Sequence, residues 1–136
     1  MLKSKKIASI GLSAVLILSS TLFLLPTENS IFAQEQRLFY LFPVEIEDAE
    51  KFKLMTDTFS VKTMVAKKGD NVTVHYYNPE ETEKHNFVLM NPYNITKDLP
   101  GNQQTKISFI ADKEGIYQYE CTYHMPTMTG QLVVLP

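Results

Sequence analysis

The chain has 136 residues, of which 44% are hydrophobic and 21% charged, which suits one globular domain and excludes a disordered acidic tail or a multi-span membrane protein. Its formal charge of -2 leaves no basic excess to displace counterions from DNA or RNA, so no nucleic-acid partner is expected. The single cysteine excludes an internal disulfide framework, a zinc ribbon and a dithiol redox pair.

Residues 1–33 have the order of features found in a secretory signal peptide. Three lysines occur within the first six residues, an apolar run extends from Ile7 to Leu25, and cleavage after Ala33 is consistent with the small residue there. The apolar run is also just long enough to span a bilayer, so an uncleaved N-terminal anchor is the alternative. Both alternatives place residues 34–136 outside the cytoplasm, as a secreted, periplasmic-like or cell-surface domain.

The remainder, residues 34–136, shows the alternation of apolar and polar residues that is typical of strands. In residues 71–77, for example, Val72, Val74 and Tyr76 are expected on one face of a strand. Short helices are expected at most over residues 48–52 and 95–99. The predicted strands, in chain order, are 37–42, 59–65, 71–77, 85–90, 106–110, 116–121 and 131–135.

Several short strands without a βαβ rhythm predict an all-β sandwich or barrel. Within it, Ile107 and Phe109 are expected to face inward. Tyr117, Tyr119 and Cys121 are expected to share one face of the next strand.

The chemically informative residues lie between the last two predicted strands. Cys121, His124 and Met128 follow the pattern C-x2-H-x3-M, and His85 begins an earlier strand. Two imidazoles, a thiolate and a thioether match the trigonal His2Cys copper site with a weak axial Met. Zinc is a poorer match because it rarely takes a thioether ligand. A free cysteine can also be a small buried hydrophobic residue, so the pattern alone leaves a site without metal open.

Four segments together resemble the cupredoxins, the small blue copper proteins. The first, residues 65–74, resembles their V-x-x-G-D-x-V turn, and residues 84–87 resemble the segment of their first copper histidine. Residues 107–109 with residues 115–121 resemble their F…G-x-Y-x-Y-x-C approach to the metal. The resemblance covers nearly all of residues 34–136 and implies a Greek-key β-sandwich that binds one copper ion per chain.

The resemblance also implies roles for individual residues. His85, Cys121 and His124 would be equatorial copper ligands and Met128 the axial ligand. Asn86 would support the cysteine loop and its sulfur, where hydrogen bonds tune the metal.

The function implied by this site is one-electron transfer between redox proteins rather than catalysis. Electrons would leave through an exposed edge of His124, with Met125 and Pro126 as an apolar rim for brief encounters. The charged segment 80–84 reads as a solvated loop and His75 as a surface histidine.

Other functions remain open at this point. The chain is also similar to nitrosocyanin, a red copper protein, in its turns and its C-x2-H loop, so a red site with a redox or ligand-binding role is one alternative. A copper storage or delivery protein and a metal-free fold are the others. A dinuclear centre of the kind found in nitrous-oxide reductase is excluded, since it needs two cysteines on this loop.

Overall fold

The computed structural model describes residues 34–136, and the predicted signal peptide or anchor lies outside the described residues. In this part of the chain there are ten strands and one short 3-10 helix, Ala49–Phe52. The same part contains no helix with the length and apolar character needed to cross a membrane. The strands are β1 Gln36–Leu41, β2 Pro43–Glu45, β3 Asp57–Phe59, β4 Thr63–Lys67, β5 Asn71–Asn78, β6 His85–Leu89, β7 Ile95–Leu99, β8 Gln103–Ile110, β9 Gly115–Glu120 and β10 Thr129–Leu135.

The strands form two main sheets that face each other across one hydrophobic core. The larger sheet has the order β4-β10-β9-β6-β7, and the smaller has the order β1-β5-β8. β1 pairs with β5 and β4 pairs with β10 in parallel, whereas the other pairs are antiparallel. A ribbon of β2 and β3 completes the architecture. The all-β, Greek-key sandwich expected from the sequence is confirmed.

The predicted inward faces agree with the observed burial. Val72, Val74 and Tyr76 of β5 are all buried, as their two-residue spacing requires. Ile107 is buried and Phe109 packs against the core from β8. The alternating pattern therefore places one face of β5 and one face of β8 in the space between the sheets.

The turn between β4 and β5 lies where the sequence predicts it. Gly69 adopts a φ of +95°, a conformation that residues with a Cβ rarely adopt. The buried carboxylate of Asp70 accepts hydrogen bonds from the Lys67 amide (2.8 Å), the Glu35 amide (3.2 Å) and Nε of Arg37 (2.7 Å). This carboxylate thus joins the turn to β1.

Two expectations about secondary structure are wrong. Residues 95–99 form strand β7 rather than a helix, because Ile95 and Leu99 pair with Leu89 and His85 of β6. The four-residue spacing of these two apolar residues suits either element, and only the neighbouring strand decides between them. Residues 59–65 are not one strand, because β3 ends at Phe59 and pairs with β2, whereas β4 pairs with β10.

The core extends to the end of the sandwich where β9 leads into the loop 121–128. Tyr119 is fully buried there, and its ring packs on Phe59 and Phe87 with centroid distances of 5.3 Å. A Cβ at Gly130 would overlap the Tyr119 ring, so this close approach requires glycine. The loop 121–128 consequently rests on tightly packed side chains.

Candidate metal centre

Neighbouring strands of the larger sheet bring the candidate ligands together. His85 is the first residue of β6, and Cys121 directly follows the last residue of its neighbour β9. The loop then returns to β10 through three backbone hydrogen bonds: His124 N to Cys121 O (3.2 Å), Met128 N to His124 O (3.0 Å) and Cys121 N to Met128 O (2.9 Å). These bonds close the loop into a compact turn.

The three nitrogen and sulfur donors point at one another. The Cys121 sulfur Sγ lies 3.9 Å from Nδ1 of His85 and 3.6 Å from Nδ1 of His124. Metal bonds of about 2.3 Å to sulfur and about 2.0 Å to nitrogen would separate these atoms by about 3.5–3.7 Å for tetrahedral to trigonal angles, within about 0.2 Å of both observed distances. The donor set and its spacing therefore fit a single transition-metal ion.

All of the candidate ligands are shielded from solvent. His85, Cys121 and Met128 are 0% exposed and His124 is 8% exposed. Met128 belongs to the same cluster of buried hydrophobic residues as Cys121. Met125, in contrast, is 41% exposed.

The burial of His124 corrects the expectation that its own edge is exposed. Its outer nitrogen Nε2 lies 3.2 Å from Oε2 of Glu83 and 3.5 Å from Oδ2 of the buried Asp57. Of the predicted rim, Met125 and Pro126 are exposed, whereas the His124 imidazole is buried.

The environment of Cys121 favours its thiolate, the form that binds metals. Burial by itself would raise the pKa of the thiol. Hydrogen bonds from His85, the Asn86 amide and His124 outweigh burial and lower this pKa to about 7. The apolar site therefore holds a readily ionised sulfur.

His85 is contacted on both of its nitrogens. Burial lowers its pKa, but the Cys121 sulfur on one side and the Glu80 carboxylate on the other raise the pKa above its ordinary value. Oε2 of Glu80 lies 2.8 Å from Nε2 of His85. The imidazole is thereby held between a candidate ligand and a carboxylate.

The acidic residues at this end of the molecule were missed by sequence reasoning, which treated segment 80–84 as a solvated loop. Glu80 and Glu83 instead contact the two candidate histidine ligands. An available signal was the cluster of glutamates immediately before His85 in the chain. With Asp57 they line an open cleft of about 490 Å³ beside the histidines.

Asn86 links the strand of the first histidine to the cysteine loop. Its Oδ1 accepts a 2.8 Å hydrogen bond from the Thr122 amide, and its Nδ2 donates a 2.8 Å bond to the Thr122 hydroxyl. Its own amide points at the Cys121 sulfur, 3.4 Å away. These contacts join β6 to the loop 121–128 at the residue for which the resemblance implies a supporting role.

Comparisons with known proteins agree with this architecture. A family model for the cupredoxin-like domain matches residues 14–134. The chain is 32% identical over 102 residues to nitrous-oxide reductase of Stutzerimonas stutzeri, covering 67% of this chain and 16% of the reductase. It is 26% identical over 123 residues to auracyanin-A of Chloroflexus aurantiacus, covering 68% of this chain and 75% of that protein. The chain thus spans less than a fifth of the reductase and most of the auracyanin.

Solved structures show the same fold. Auracyanin A, described as a "blue" copper protein from Chloroflexus aurantiacus, superposes with a TM-score of 0.57 at 20% identity, covering 73% of this chain and 98% of that chain. A copper nitrite reductase from Nitrosomonas europaea superposes with a TM-score of 0.58 at 17% identity, covering 75% and 42%. Because the family model covers almost all of the described residues, the chain belongs to the family of cupredoxin-like domains.

Proposed function

We propose that this chain is an exported mononuclear blue copper protein that carries single electrons between redox partners. His85, Cys121 and His124 would hold the metal through two nitrogens and a sulfur, and Met128 would add a weaker thioether ligand. The observation that supports this most strongly is the buried Cys121 sulfur, which lies 3.6 and 3.9 Å from the Nδ1 atoms of the two histidines. The donor types match the His2Cys set with a weak axial Met.

Copper supplies the one-electron chemistry at this site, one ion per chain. The residues of the chain supply the thiolate, two imidazole nitrogens and a water-excluding pocket. The loop 121–128 is tied by backbone hydrogen bonds and seated on Tyr119 and Gly130. A rigid ligand loop suits electron transfer, because little has to move when the charge of the metal changes. Asn86 supports this rigidity through its two hydrogen bonds to Thr122.

The redox partners would approach the end of the molecule that carries the loop. Met125 and Pro126 are exposed there and form the apolar rim of the electron exit. Since carboxylates cover the outer nitrogen of His124, an electron would leave its imidazole through the adjacent residues Met125 and Pro126. Small, weak interfaces are typical of such transient redox complexes.

Burial of the site favours a carrier over the alternative functions. A red or ligand-binding copper site needs an open coordination position, and the proposed ligands are at most 8% exposed. A copper delivery protein would use an exposed methionine cluster, whereas Met128 is 0% exposed. The single cysteine leaves no second thiolate for a dinuclear centre. Catalysis of the kind performed by the matched reductases is therefore not proposed for this chain.

The proposal assigns separate roles to residues 1–33 and to residues 34–136. Residues 1–33 direct export as a signal peptide or remain as an N-terminal anchor, and residues 34–136 form the copper-binding domain. Both alternatives place the domain outside the cytoplasm. The membrane would then be contacted only through an uncleaved anchor.

A visible absorption spectrum of the copper-loaded protein tests the proposed function. We expect an intense blue band that is abolished in Cys121→Ser and retained in Met125→Ala, because Met125 belongs to the rim and not to the ligand set. A red protein would indicate the alternative site, and a band that survives Cys121→Ser would remove Cys121 as a ligand. For the rim, unchanged electron-transfer rates in Met125→Lys would contradict the proposed exit.

A further inference from the structure

The outer nitrogen of His85 has a carboxylate partner that the proposed function does not require. Glu80 Oε2 lies 2.8 Å from Nε2 of His85, on the side of the ring opposite the Cys121 sulfur. His85 itself is 0% exposed, so water cannot readily replace this partner. A polar ring nitrogen at this depth needs such a partner, because an unsatisfied buried donor is costly.

The loop that carries Glu80 is held in place by a buried asparagine. The side chain of Asn78, which is 1% exposed, donates to the backbone oxygens of Glu83 (2.8 Å) and Leu99 (3.2 Å). Its Oδ1 accepts from the Glu80 amide at 3.1 Å. Two of these three bonds hold the loop, at Glu80 and at Glu83, and the third joins it to β7.

The turn between β7 and β8 supports the same loop from the other side. The Asn102 amide donates to the Glu80 carbonyl oxygen at 2.9 Å. A Cβ at Gly101 would lie 2.5 Å from that oxygen, which is closer than real Cβ contacts come. The backbone of Glu80 therefore packs directly on a glycine, and its position is well determined.

We propose that Glu80 is a positioning residue for His85, which deepens and rests on the proposed copper site. A neutral imidazole carries one proton, and its partner decides which nitrogen keeps it. The Glu80 carboxylate accepts a hydrogen bond from Nε2–H of His85, so the lone pair of Nδ1 is directed at the position between His85 and Cys121. The geometry for the metal is thereby present before the metal binds.

His124 has a looser version of the same arrangement. Glu83 lies 3.2 Å from its Nε2, but the side chain of Glu83 is 53% exposed, and the buried Asp57 is 3.5 Å away. Both contacts are longer than the 2.8 Å contact of Glu80, and the Glu83 side chain is also more exposed than the Glu80 side chain, which is 32% exposed. Glu80 is accordingly the carboxylate whose removal has the larger effect.

Imidazole tautomers of the copper-free full chain provide the first test. Long-range ¹H–¹⁵N correlation spectra, recorded where the imidazoles are neutral, distinguish a proton on Nε2 from one on Nδ1. We expect His85 to carry its proton on Nε2 in the wild type. A proton predominantly on Nδ1 would overturn the proposal, and this measurement does not depend on any variant folding.

Copper affinity provides the second test, with Glu81 as a matched control. Glu81 is exposed in the same loop, has the same charge, and makes no side-chain hydrogen bond or ion pair with the described residues 34–136. Glu80→Ala should weaken copper binding about 10–100-fold, the range typical of lost partners of metal-bound histidines. Glu81→Ala should change it by less than about 3-fold, and Glu80→Gln, which keeps an acceptor oxygen, should restore most of the affinity.

The outcomes separate the two proposals. Equal losses in Glu80→Ala and Glu81→Ala would mean that only surface charge matters, and would overturn the role of Glu80. If Glu80→Ala fails to fold, Glu80→Gln and the wild-type tautomer decide the matter. A wild-type protein that binds no copper would refute the proposed function, whereas the tautomer of His85 would still judge the role of Glu80.

Discussion

The link between Asn86 and Thr122 leads to a quantitative prediction about stability. Asn86 is 5% exposed, and its side chain makes two 2.8 Å hydrogen bonds to Thr122, one with the backbone amide and one with the hydroxyl. Asn86→Ala removes both bonds, whereas Thr122→Val removes only the bond to the hydroxyl. The two variants therefore measure parts of the same link between β6 and the cysteine loop.

The expected magnitudes follow from the number of bonds lost. A typical intramolecular hydrogen bond contributes about 1 kcal/mol net, so Asn86→Ala should lower the free energy of unfolding by about 2 kcal/mol and Thr122→Val by about 1 kcal/mol. The double variant should cost about as much as Asn86→Ala alone, because the bond to the hydroxyl can be lost only once. The coupling energy between the two residues is then about 1 kcal/mol.

Urea unfolding of the copper-free protein measures these differences without a contribution from metal binding. With a slope of about 2 kcal/mol per molar, the midpoint of Asn86→Ala should fall by about 1 M at an unchanged slope. Additive effects of the two single variants would show that the residues do not interact. A cost below about 0.5 kcal/mol for Asn86→Ala would refute the reasoning that the link holds the loop.

Two further predictions concern other buried polar groups. The hydroxyl of Tyr76 has no hydrogen-bond partner among residues 34–136, so Tyr76→Phe should preserve or raise stability. Tyr119→Phe loses a hydrogen bond to the Val61 carbonyl oxygen and should cost about 1 kcal/mol in the same urea assay. A larger loss of stability in Tyr76→Phe than in Tyr119→Phe would contradict this expectation. The hydrogen bond from Arg37 holds the pKa of Asp70 below its usual value. The ionised Asp70 carboxylate therefore stabilises the folded protein fully above the usual carboxyl pKa, and this stabilisation is lost as the pH falls through the lowered pKa. Unfolding free energies of the wild type should therefore decline more steeply with acidification than those of Asp70→Asn, and parallel pH curves would exclude this role.

The positions of the strands and of the candidate ligands were largely predictable because their signals are local. The alternation of Val72, Val74 and Tyr76 indicates which face of β5 is buried, and the structure confirms it. Cys121, His124 and Met128 lie within one short loop, so their spacing alone indicates that they can converge. The assignment of these residues as copper ligands stays a prediction until a metal-bound form is measured.

Features that depend on neighbouring elements could not be predicted in this way. Residues 95–99 could not be assigned to a strand from their own pattern, because the spacing of Ile95 and Leu99 suits a helix equally well and β6 decides. The burial of His124 was also missed, since Asp57 comes from the distant strand β3 and Glu83 from a loop that reads as solvated.

Short-range patterns of polarity and spacing encode the fold class and the donor types near the C-terminus, so both could be inferred from the amino-acid sequence. The proximity of His85 to a sulfur 36 residues away, at 3.9 Å, and the contact of Glu80 with its other nitrogen emerged from the folded chain. These contacts depend on the pairing of β6 with β9 and on the packing of one loop against Gly101. Both are long-range interactions, and the residues that flank each contact in the chain do not specify its partner.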